Sequence, residues 1–487
     1  MNRGQSLGSV TRRGARASLA AQLVTQLGSV AATVILARVL TPTEFGIVAV
    51  SQSVLGAAAL LTLGGITAAL VTRPRDLAMA AQSYFLLSAG LGLFGVAAFA
   101  ASAQPLTAVL GQPDAAPFLA VLSVSFLLST VAIVPAAILQ RRMRFGWLSF
   151  SSIAGAGVYF GVEIALAMAG FGAWAVVLGQ VAGSVVTLAV VFIGARWRPR
   201  LRLSVTLIRA DISTLSGLSA GQVLSYFQKN IDYWVVSAQI GASNLGAYYV
   251  AYVLPSVVRL RLSHVLRQVM LPAFSISGSG AQTQMLWRRS FAVLLGIGLP
   301  LLVGVAVIAD PLVALFFGGQ WQDAVEPMRV LALAAIADLW LTSVGTVAIA
   351  QNLVRPYLLT LGVRAGTTTI FAILAGVIWG TTSAVAWAVA ASALVTLFVQ
   401  EVALARPLGI GIQSVFRPVS WYVGLCVAMA VCSILALQLL GDRASPAVQV
   451  LTGAVVGSTA YAGLGLLLAR DVMKSVMADG FLVLRGR

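Results

Sequence analysis

The sequence predicts an all-α polytopic membrane protein with about 14 transmembrane helices, built as two parallel six-helix lobes followed by two C-terminal helices. Three observations lead to this fold class: the composition, the spacing of apolar segments, and an internal repeat. Of the 487 residues, 59% are hydrophobic and 9% are charged. Soluble domains carry about 25% charged residues, so the composition excludes an ordinary soluble protein.

Apolar segments of the length needed to cross a bilayer core, about 20 residues, recur along the whole chain. Residues 1–16 contain four arginines and resemble the start of a signal peptide, but the apolar segment that follows is too long and lacks an Ala-x-Ala cleavage site. We therefore expect the first segment to be retained as a helix. Numbered from 1 to 14, the predicted spans are 17–37, 45–71, 78–102, 115–139, 148–168, 173–195, 216–239, 244–270, 285–309, 327–350, 357–379, 383–404, 418–440 and 447–469.

The net charge of +17 is distributed unevenly among the loops. Basic residues occupy every second loop, whereas the alternate loops hold most of the loop carboxylates. By the positive-inside rule, the basic loops and both termini are expected in the cytoplasm. Topology therefore explains the basicity, and we predict a multi-pass protein of the bacterial cytoplasmic membrane with no nucleic-acid partner. The basic loops contain Arg73, Arg75, Arg141, Arg142, Arg144, Arg196, Arg198, Arg200, Arg202, Arg209, Arg288, Arg289, Arg355, Arg406 and Arg417.

An internal repeat relates the two halves of the chain. Four segments at corresponding helix ends recur in the same order: 43–46 with 243–246, 103–109 with 309–315, 138–140 with 349–351, and 173–176 with 386–389. Six spans separate equivalent points, which predicts two lobes of the same orientation with a binding site between them. The expected parts are an N-terminal lobe (1–195), a cytoplasmic interfacial connector or plain linker (196–215), a C-terminal lobe (216–404), and spans 13 and 14 with a cytoplasmic tail (405–487).

Three predicted spans have a polar face inside an otherwise apolar sequence. Each residue of a helix is rotated about 100° from the one before it, and with this rotation the polar residues of each span fall on one face. Exposing such faces to lipid is costly, so we expect them to line a shared aqueous cavity. The polar residues are Gln22 and Gln26 in span 1, Gln222, Tyr226, Lys229, Asn230 and Asp232 in span 7, and Arg259 and Arg267 in span 8.

Two interpretations are open for the charged residues of these faces. Lys229 and Asp232 lie three residues apart on one helix, so they form either a mutually neutralising structural pair or a contact with a substrate or ion. Arg259 and Arg267 are candidate ligands for an anionic headgroup. The alternative is that their side chains extend to the cytoplasmic interface, which is the interpretation favoured for Arg261.

Four further residues of the predicted spans are candidates for a charged or proton-carrying role. Arg364 in span 11 is either a headgroup ligand or a structural cation. Glu163 in span 5 and Asp338 in span 10 are candidate partners for the cations or candidate coupling sites. His264 is the only histidine, and a packed or interfacial position is favoured for it over a role as proton carrier.

Three motifs resemble those of bacterial polysaccharide exporters, the lipid-linked oligosaccharide flippases of the O-antigen and colanic-acid type in the multidrug/oligosaccharidyl-lipid/polysaccharide (MOP) superfamily. The segment 36–46, Leu-Ala-Arg-Val-Leu-Thr-Pro-Thr-Glu-Phe-Gly, is similar to a motif of that family. Lys229-Asn230-Ile231-Asp232 resembles its basic-Asn-x-Asp motif, and Gly319-Gln320-Trp321 with Ala324 resembles its Gly-x-x-Trp-x-x-Ala loop. The sequence departs from the family at 237–239, Ser-Ala-Gln, where a glycine and a basic residue are usual.

The resemblance implies a positively charged cavity and transfer of a polyprenyl-diphosphate-linked glycan between leaflets by alternating access, with membrane lipids as surroundings. H⁺, Na⁺ or the membrane potential is the expected driving force. A cation-coupled exporter of small molecules in the same superfamily is the alternative, but span 1 lacks the acidic residue expected of it. The sequence has no phosphate-binding Gly-x-x-x-x-Gly-Lys motif and no metal-ligand cluster. We therefore predict no ATPase, no other enzyme, no metal and no cofactor.

Overall fold

The computed structural model describes residues 7–72, 77–276, 280–441 and 444–468, which are helical apart from short connections. Most of these helices contain more than 20 residues, long enough to cross a bilayer. The α-helices are α1 (Leu7–Val39), α2 (Pro42–Thr72), α3 (Leu77–Val109), α4 (Ala116–Arg141), α5 (Phe145–Met168), α6 (Ala173–Ala195), α7 (Val205–Ile240), α8 (Ala242–Ile276), α9 (Ala281–Val307), α10 (Ala309–Phe316), α11 (Val325–Ala350), α12 (Val354–Trp379), α13 (Thr382–Gln400), α14 (Phe416–Leu440) and α15 (Pro446–Leu468).

The helices confirm the predicted class of all-α polytopic membrane protein. Within the described residues, 11 helical segments are long and apolar enough to cross a membrane. Helices α2, α7 and α8 are not among them, although they contain 31, 36 and 35 residues. The side chains of α2 and α7 are only partly described, and α7 and α8 carry charged residues of the polar faces. The exact number of 14 spans therefore stays a prediction.

Contacts between residues divide the chain into two compact units, Met1–Gly246 and Ala247–Arg487. The first unit contains α1 to α7 and the first turn of α8. Helix α7 belongs to it because it packs along α2. The sequence repeat predicts that α7 begins the C-terminal lobe, whereas the contacts assign α7 to the first unit. The boundary drawn from contacts therefore lies one helix later in the chain than the boundary predicted from the repeat. The lobe limits at 195 and 216 stay a prediction.

The start of α2 is held by a capping box at Thr41 and Glu44. The backbone N–H of Thr41 donates to Glu44 Oε2 at 2.8 Å, and the backbone N–H of Glu44 donates to Thr41 Oγ1 at 3.3 Å. Pro42 occupies the first helical position, where its missing N–H is not needed. The Thr-Pro-x-Glu part of the 36–46 motif is therefore a helix start in which both capping partners are satisfied.

Arginines between α4 and α5 bind the carbonyl ends of neighbouring helices. Arg141 Nη1 donates to the Leu70 carbonyl of α2 at 2.8 Å, and Arg142 Nη1 donates to the Ala195 carbonyl of α6 at 2.6 Å. Arg144 Nη1 reaches the neighbouring carbonyl of α6 at 3.1 Å. The last carbonyls of a helix lack intrahelical partners and carry partial negative charge. These arginines therefore have a structural role in addition to the topological one predicted from the sequence.

Replacing Arg141, Arg142 and Arg144 together by alanine is expected to destabilise the protein without removing a core side chain. Each cation at a helix C-terminus contributes about 0.3–1 kcal/mol, so the triple variant should lose about 1–3 kcal/mol. Thermal unfolding of the purified protein in detergent measures the effect. The double variant Arg288→Ala with Arg289→Ala is the control, because these exposed arginines lie in the first part of α9. An equal decrease in both variants would contradict the capping role.

The C-terminal helices α14 and α15 pack against α9 within the second unit. Tyr422 and Cys426 of α14 belong to a buried apolar cluster that includes residues of α9 and α11. Tyr461 Oη of α15 donates to the Gly296 carbonyl of α9 at 2.9 Å. Cys426 and Cys432 are both free thiols. Spans 13 and 14, which lie outside the repeat, are thus attached to the second unit through ordinary core packing.

Candidate functional site

Three charged residues from different helices meet inside the second unit. Arg259 of α8 places its Nε 3.7 Å from Asp338 Oδ2 of α11. Arg364 of α12 places its Nη2 3.3 Å from Asp338 Oδ1. One carboxylate thus faces two guanidinium groups, and the cluster carries one net positive charge. We call these three residues the Arg-Asp-Arg cluster. Asp338 was predicted to be either a partner for the cations or a coupling site, and these distances show that it forms ion pairs with both arginines.

Arg364 is the most deeply buried member of the cluster. Its side chain is 5% exposed, against 21% for Arg259 and 24% for Asp338. Arg364 Nη1 is buried and has no hydrogen-bond partner among the described residues. A buried N–H without an acceptor costs about 1–3 kcal/mol, and more when the group is charged. An anionic ligand oxygen could satisfy this donor.

Hydroxyl groups surround Arg364 on its own helix. Thr360 and Thr368 lie one turn to either side and are both buried. Thr368 Oγ1 is 2.7 Å from Ser392 Oγ of α13. Asp338 and Arg259 remain partly exposed, so a polar ligand can approach the cluster from their side. The arrangement suits a phosphate group, which Arg binds through charge-assisted hydrogen bonds.

The polar face of α7 lies in the first unit. Lys229 is exposed, whereas Asp232, three residues later, is 2% exposed. Asn230 Nδ2 donates to the Tyr226 carbonyl at 2.9 Å. Tyr226 Oη donates to the Ser53 carbonyl of α2 at 2.7 Å. Tyr226 therefore holds α7 against α2, and any contact that it makes with a substrate stays a prediction.

The remaining predicted residues occupy varied environments. Gln22 is exposed and Gln26 is half-buried on α1. Arg267 is exposed on α8, and Arg261 and His264 on the same helix are half-buried. The side chain of Gln222 lies outside the described residues. Glu163 on α5 is 2% exposed and belongs to the first unit, whereas the Arg-Asp-Arg cluster belongs to the second.

The starts of α2 and α8 cross at two glycines that the repeat aligns. A Cβ on Gly46 would overlap the carbonyl of Ala242, and a Cβ on Gly246 would overlap the carbonyl of Pro42. Both contacts lie within Met1–Gly246. The contact is reciprocal, since Gly46 of α2 faces Ala242 of α8, and Gly246 of α8 faces Pro42 of α2. Only glycine permits this backbone approach. We call these four residues the glycine crossing; the repeat pairs its glycines, but their contact is visible only in the structure.

Solved structures of membrane transporters share this architecture. The lipid II flippase MurJ in an inward closed conformation superimposes with a TM-score of 0.76 over 93% of this chain and 98% of that chain, at 12% sequence identity. An inward-facing multidrug resistance MATE family transporter of the MOP superfamily gives a TM-score of 0.66 over 81% of this chain and 95% of that chain, at 15% identity. The molecule therefore has the fold of MOP-superfamily transporters.

The family is defined by sequence. A family profile described as "Polysaccharide biosynthesis protein" matches residues 35–326, and the chain belongs to this family. The match includes the 36–46 motif, the glycine crossing and α7, so it covers the features on which the resemblance was based. The expectation that the chain is related to polysaccharide exporters is confirmed.

Relatives of known role match about two thirds of the chain. The succinoglycan biosynthesis transport protein ExoT of Rhizobium meliloti is 28% identical over 310 residues, which are 62% of this chain and 61% of that protein. The lipopolysaccharide biosynthesis protein WzxC of Escherichia coli is 26% identical over 337 residues, 68% of each chain. The chain thus spans about three fifths of the length of the succinoglycan relative.

Proposed function

We propose that the protein is a flippase that moves a polyprenyl-diphosphate-linked oligosaccharide from the inner to the outer leaflet of the cytoplasmic membrane. The observation that carries this proposal is the Arg-Asp-Arg cluster. A diphosphate headgroup is a multiply charged anion, and guanidinium groups bind phosphate strongly where water is excluded. The fold supports transport, since it is shared with a lipid II flippase. The family supports a saccharide substrate, because the relatives from Rhizobium meliloti and Escherichia coli are named as polysaccharide biosynthesis proteins.

The proposed headgroup site is the Arg-Asp-Arg cluster, in which Arg259 and Arg364 bind the diphosphate. Contact of Lys229 and Asn230, on the polar face of α7, with the headgroup or the sugars stays a prediction from the sequence. Tyrosine, amide and hydroxyl groups are suitable for sugars, because they donate and accept hydrogen bonds without a fixed charge. Arg267, which is exposed on α8, is proposed to contact the headgroup as it enters.

The proposed orientation follows from the arginine-rich loops. Both termini and the loop at 141–144 lie in the cytoplasm, and the starts of α2 and α8 face outward. The lipid tail stays in the bilayer while the headgroup crosses through the polar interior. We further propose that no catalytic step is involved. Within the described ranges, no group of three or more histidine, cysteine, aspartate or glutamate residues could hold a metal ion.

A cation-coupled exporter of small molecules is the second candidate function. The observation that favours it is the structural similarity to a multidrug resistance transporter. Against it, α1 contains no carboxylate, and Arg38 is the one ionisable group among its described side chains. Extrusion of cationic dyes by proteoliposomes separates the two candidates, since a flippase for an anionic lipid should not transport them.

Binding of farnesyl diphosphate to the purified protein tests the proposal. Arg364→Ala and Arg259→Ala are each expected to weaken binding tenfold or more, which corresponds to about 1.4 kcal/mol per tenfold step. The reason is that each variant removes a charge-assisted hydrogen bond from a partly dehydrated site. Arg364→Lys keeps the charge and should lose less. Farnesol, which lacks the diphosphate, should bind equally to all variants.

Arg261→Ala is the matched control. It lies on the same helix as Arg259, and two positions apart on a helix face in different directions. We expect it to leave farnesyl diphosphate binding unchanged. Thermal unfolding of every variant shows that the comparison is made between folded proteins. Equal weakening by Arg259→Ala, Arg261→Ala and Arg364→Ala would contradict a defined site and indicate attraction by net charge alone.

A further inference from the structure

Glu163 is a buried carboxyl that the proposed headgroup site does not use. It lies on α5, about one turn and a half before that helix ends at Met168, and is 2% exposed. Gly179 of α6 faces it so closely that a Cβ at this glycine would lie 2.9 Å from Glu163 Cβ. The absence of a side chain at Gly179 allows α5 and α6 to enclose the carboxyl.

The helices that pack against α5 carry few described cationic side chains that could pair with Glu163. They are α1, α4 and α6. Helix α6 has no ionisable side chain, and α4 has only Arg141 in its last turn. The described side chains of α1 include one cation, Arg38, which is exposed in the last turn. Arg12, Arg13 and Arg16 belong to the part of α1 whose side chains are not described.

The hydrogen bonding of Glu163 is incomplete among the described residues. Its one side-chain hydrogen-bond partner is Tyr159, which lies four positions earlier on α5. The second carboxyl oxygen, Oε2, is buried and has no partner. Burying an ionised carboxylate without a cation is so costly that the group takes up a proton instead. Asp338 differs, because its charge is balanced by two arginines.

Tyr159 connects this carboxyl to a polar cavity. A cavity of about 220 Å³ between α4, α5 and α6 is lined by Tyr159 together with Ser129, Gln180, Ser184 and Thr187. Its volume and its hydroxyl and amide groups are sufficient to hold water. A tyrosine hydroxyl can accept a hydrogen bond on one side and donate on the other. Tyr159 thus lies between the cavity and the carboxyl.

We propose that Glu163 is a proton-binding site that couples headgroup transfer to the proton gradient, with Tyr159 as the connection to water. This inference rests on the proposed flippase function and names its driving ion. The conformation described here encloses the carboxyl and holds it protonated. In the proposed cycle, two further conformations hydrate the carboxyl, each from one side of the membrane. The carboxylate binds a proton from water in one of them and releases it to water in the other, so each cycle moves one proton across.

The equilibrium between the enclosed and hydrated states depends on pH, because the two states bind different numbers of protons. The enclosed state binds one proton more than the hydrated state, so acid favours the enclosed state. The ratio of the two states should change by up to tenfold per pH unit while the hydrated state is ionised. A proton taken up on one side of the membrane and released on the other then drives the cycle in one direction. Neutralising Glu163 should remove this dependence.

Infrared titration of the full-length protein in lipid nanodiscs tests the site without any substrate. In the wild type, one carboxylic acid C=O band should remain after the exposed carboxyls have ionised, at about pH 4, and should disappear at higher pH; Glu163→Gln should lack this band. Tyr159→Phe should keep the band but respond more slowly to a pH jump. Glu401→Gln is the matched control, because Glu401 is 5% exposed but accepts from the Ile412 N–H and faces Arg406. It should leave the titrating band unchanged.

Proteoliposomes test the coupling. Movement of farnesyl diphosphate between leaflets should be accelerated by an imposed pH gradient in the wild type, and Glu163→Gln should lose the acceleration while its equilibrium binding of farnesyl diphosphate is unchanged. Gradient-driven movement retained in Glu163→Gln would overturn the proposal, as would a wild type without the titrating band. A wild type that fails to bind farnesyl diphosphate contradicts the proposed function, and the infrared titration then decides the proton site separately.

Discussion

A short thiol-reactive cross-linker between cysteines introduced at Thr43 and Ser243 is expected to abolish export while binding of farnesyl diphosphate from the cytoplasmic side persists. Both positions are exposed and adjoin the glycine crossing. At that crossing the two helix starts touch through their backbones, and we propose that opening on this side requires them to separate. A covalent bridge prevents the separation but leaves the Arg-Asp-Arg cluster intact.

The experiment uses a background in which Cys426 and Cys432 are replaced by alanine and serine. Flipping of farnesyl diphosphate in proteoliposomes measures transport, and the extent of cross-linking is measured by mass spectrometry. Each single cysteine treated with the same reagent is the control for modification without a bridge. Undiminished flipping with the bridge fully formed would exclude the glycine crossing as a gate.

Glycine substitutions provide a second measurement of the same crossing. Gly46→Leu, Gly246→Leu or both should prevent the close approach, because any side chain at these positions overlaps a backbone carbonyl. A protein that cannot close this side should show greater labelling of a cysteine at Thr43 by a water-soluble maleimide. Gly90→Leu is the control, since a Cβ at Gly90 meets no atom within 4 Å. Equal labelling of all variants would contradict a gate here.

Asp338→Asn is expected to tighten diphosphate binding about tenfold and to stop export. Asp338 neutralises part of the charge of Arg259 and Arg364, so it competes with an anionic ligand for the same guanidinium groups. Removing its charge favours the bound phosphate in a partly dehydrated site. Each tenfold change in affinity corresponds to about 1.4 kcal/mol. Release then becomes slow, because no carboxylate replaces the departing phosphate.

Titration with farnesyl diphosphate and a single-turnover release measurement separate the two effects. Asp310→Asn is the matched control, because Asp310 is an exposed carboxylate in the first turn of α10 and should affect neither quantity. The double variant Asp338→Asn with Arg364→Ala should return affinity toward that of the wild type. Weaker binding in Asp338→Asn would show that the carboxylate organises the arginines for the ligand and does not compete with it.

The sequence by itself determined the class of protein and the positions of its unusual residues. A composition with so few charges permits only a membrane protein, and an arginine or carboxylate within an apolar span is conspicuous because hydrocarbon cannot solvate it. Arg259, Arg364, Asp338 and Glu163 could therefore be identified without a structure. The repeat was also detectable, because short segments at corresponding helix ends recur in the same order in both halves.

Only the tertiary structure decided which of these charges are paired. Asp338 is distant in sequence from Arg259 and lies on a different helix from Arg364, yet it contacts both, whereas Glu163 is enclosed with Tyr159. Helical periodicity gives the face on which a residue lies, but it does not give the rotation of a helix relative to its neighbours. That rotation is set by close contacts such as Gly46 with Ala242 and Gly179 with Glu163, which a single sequence does not specify.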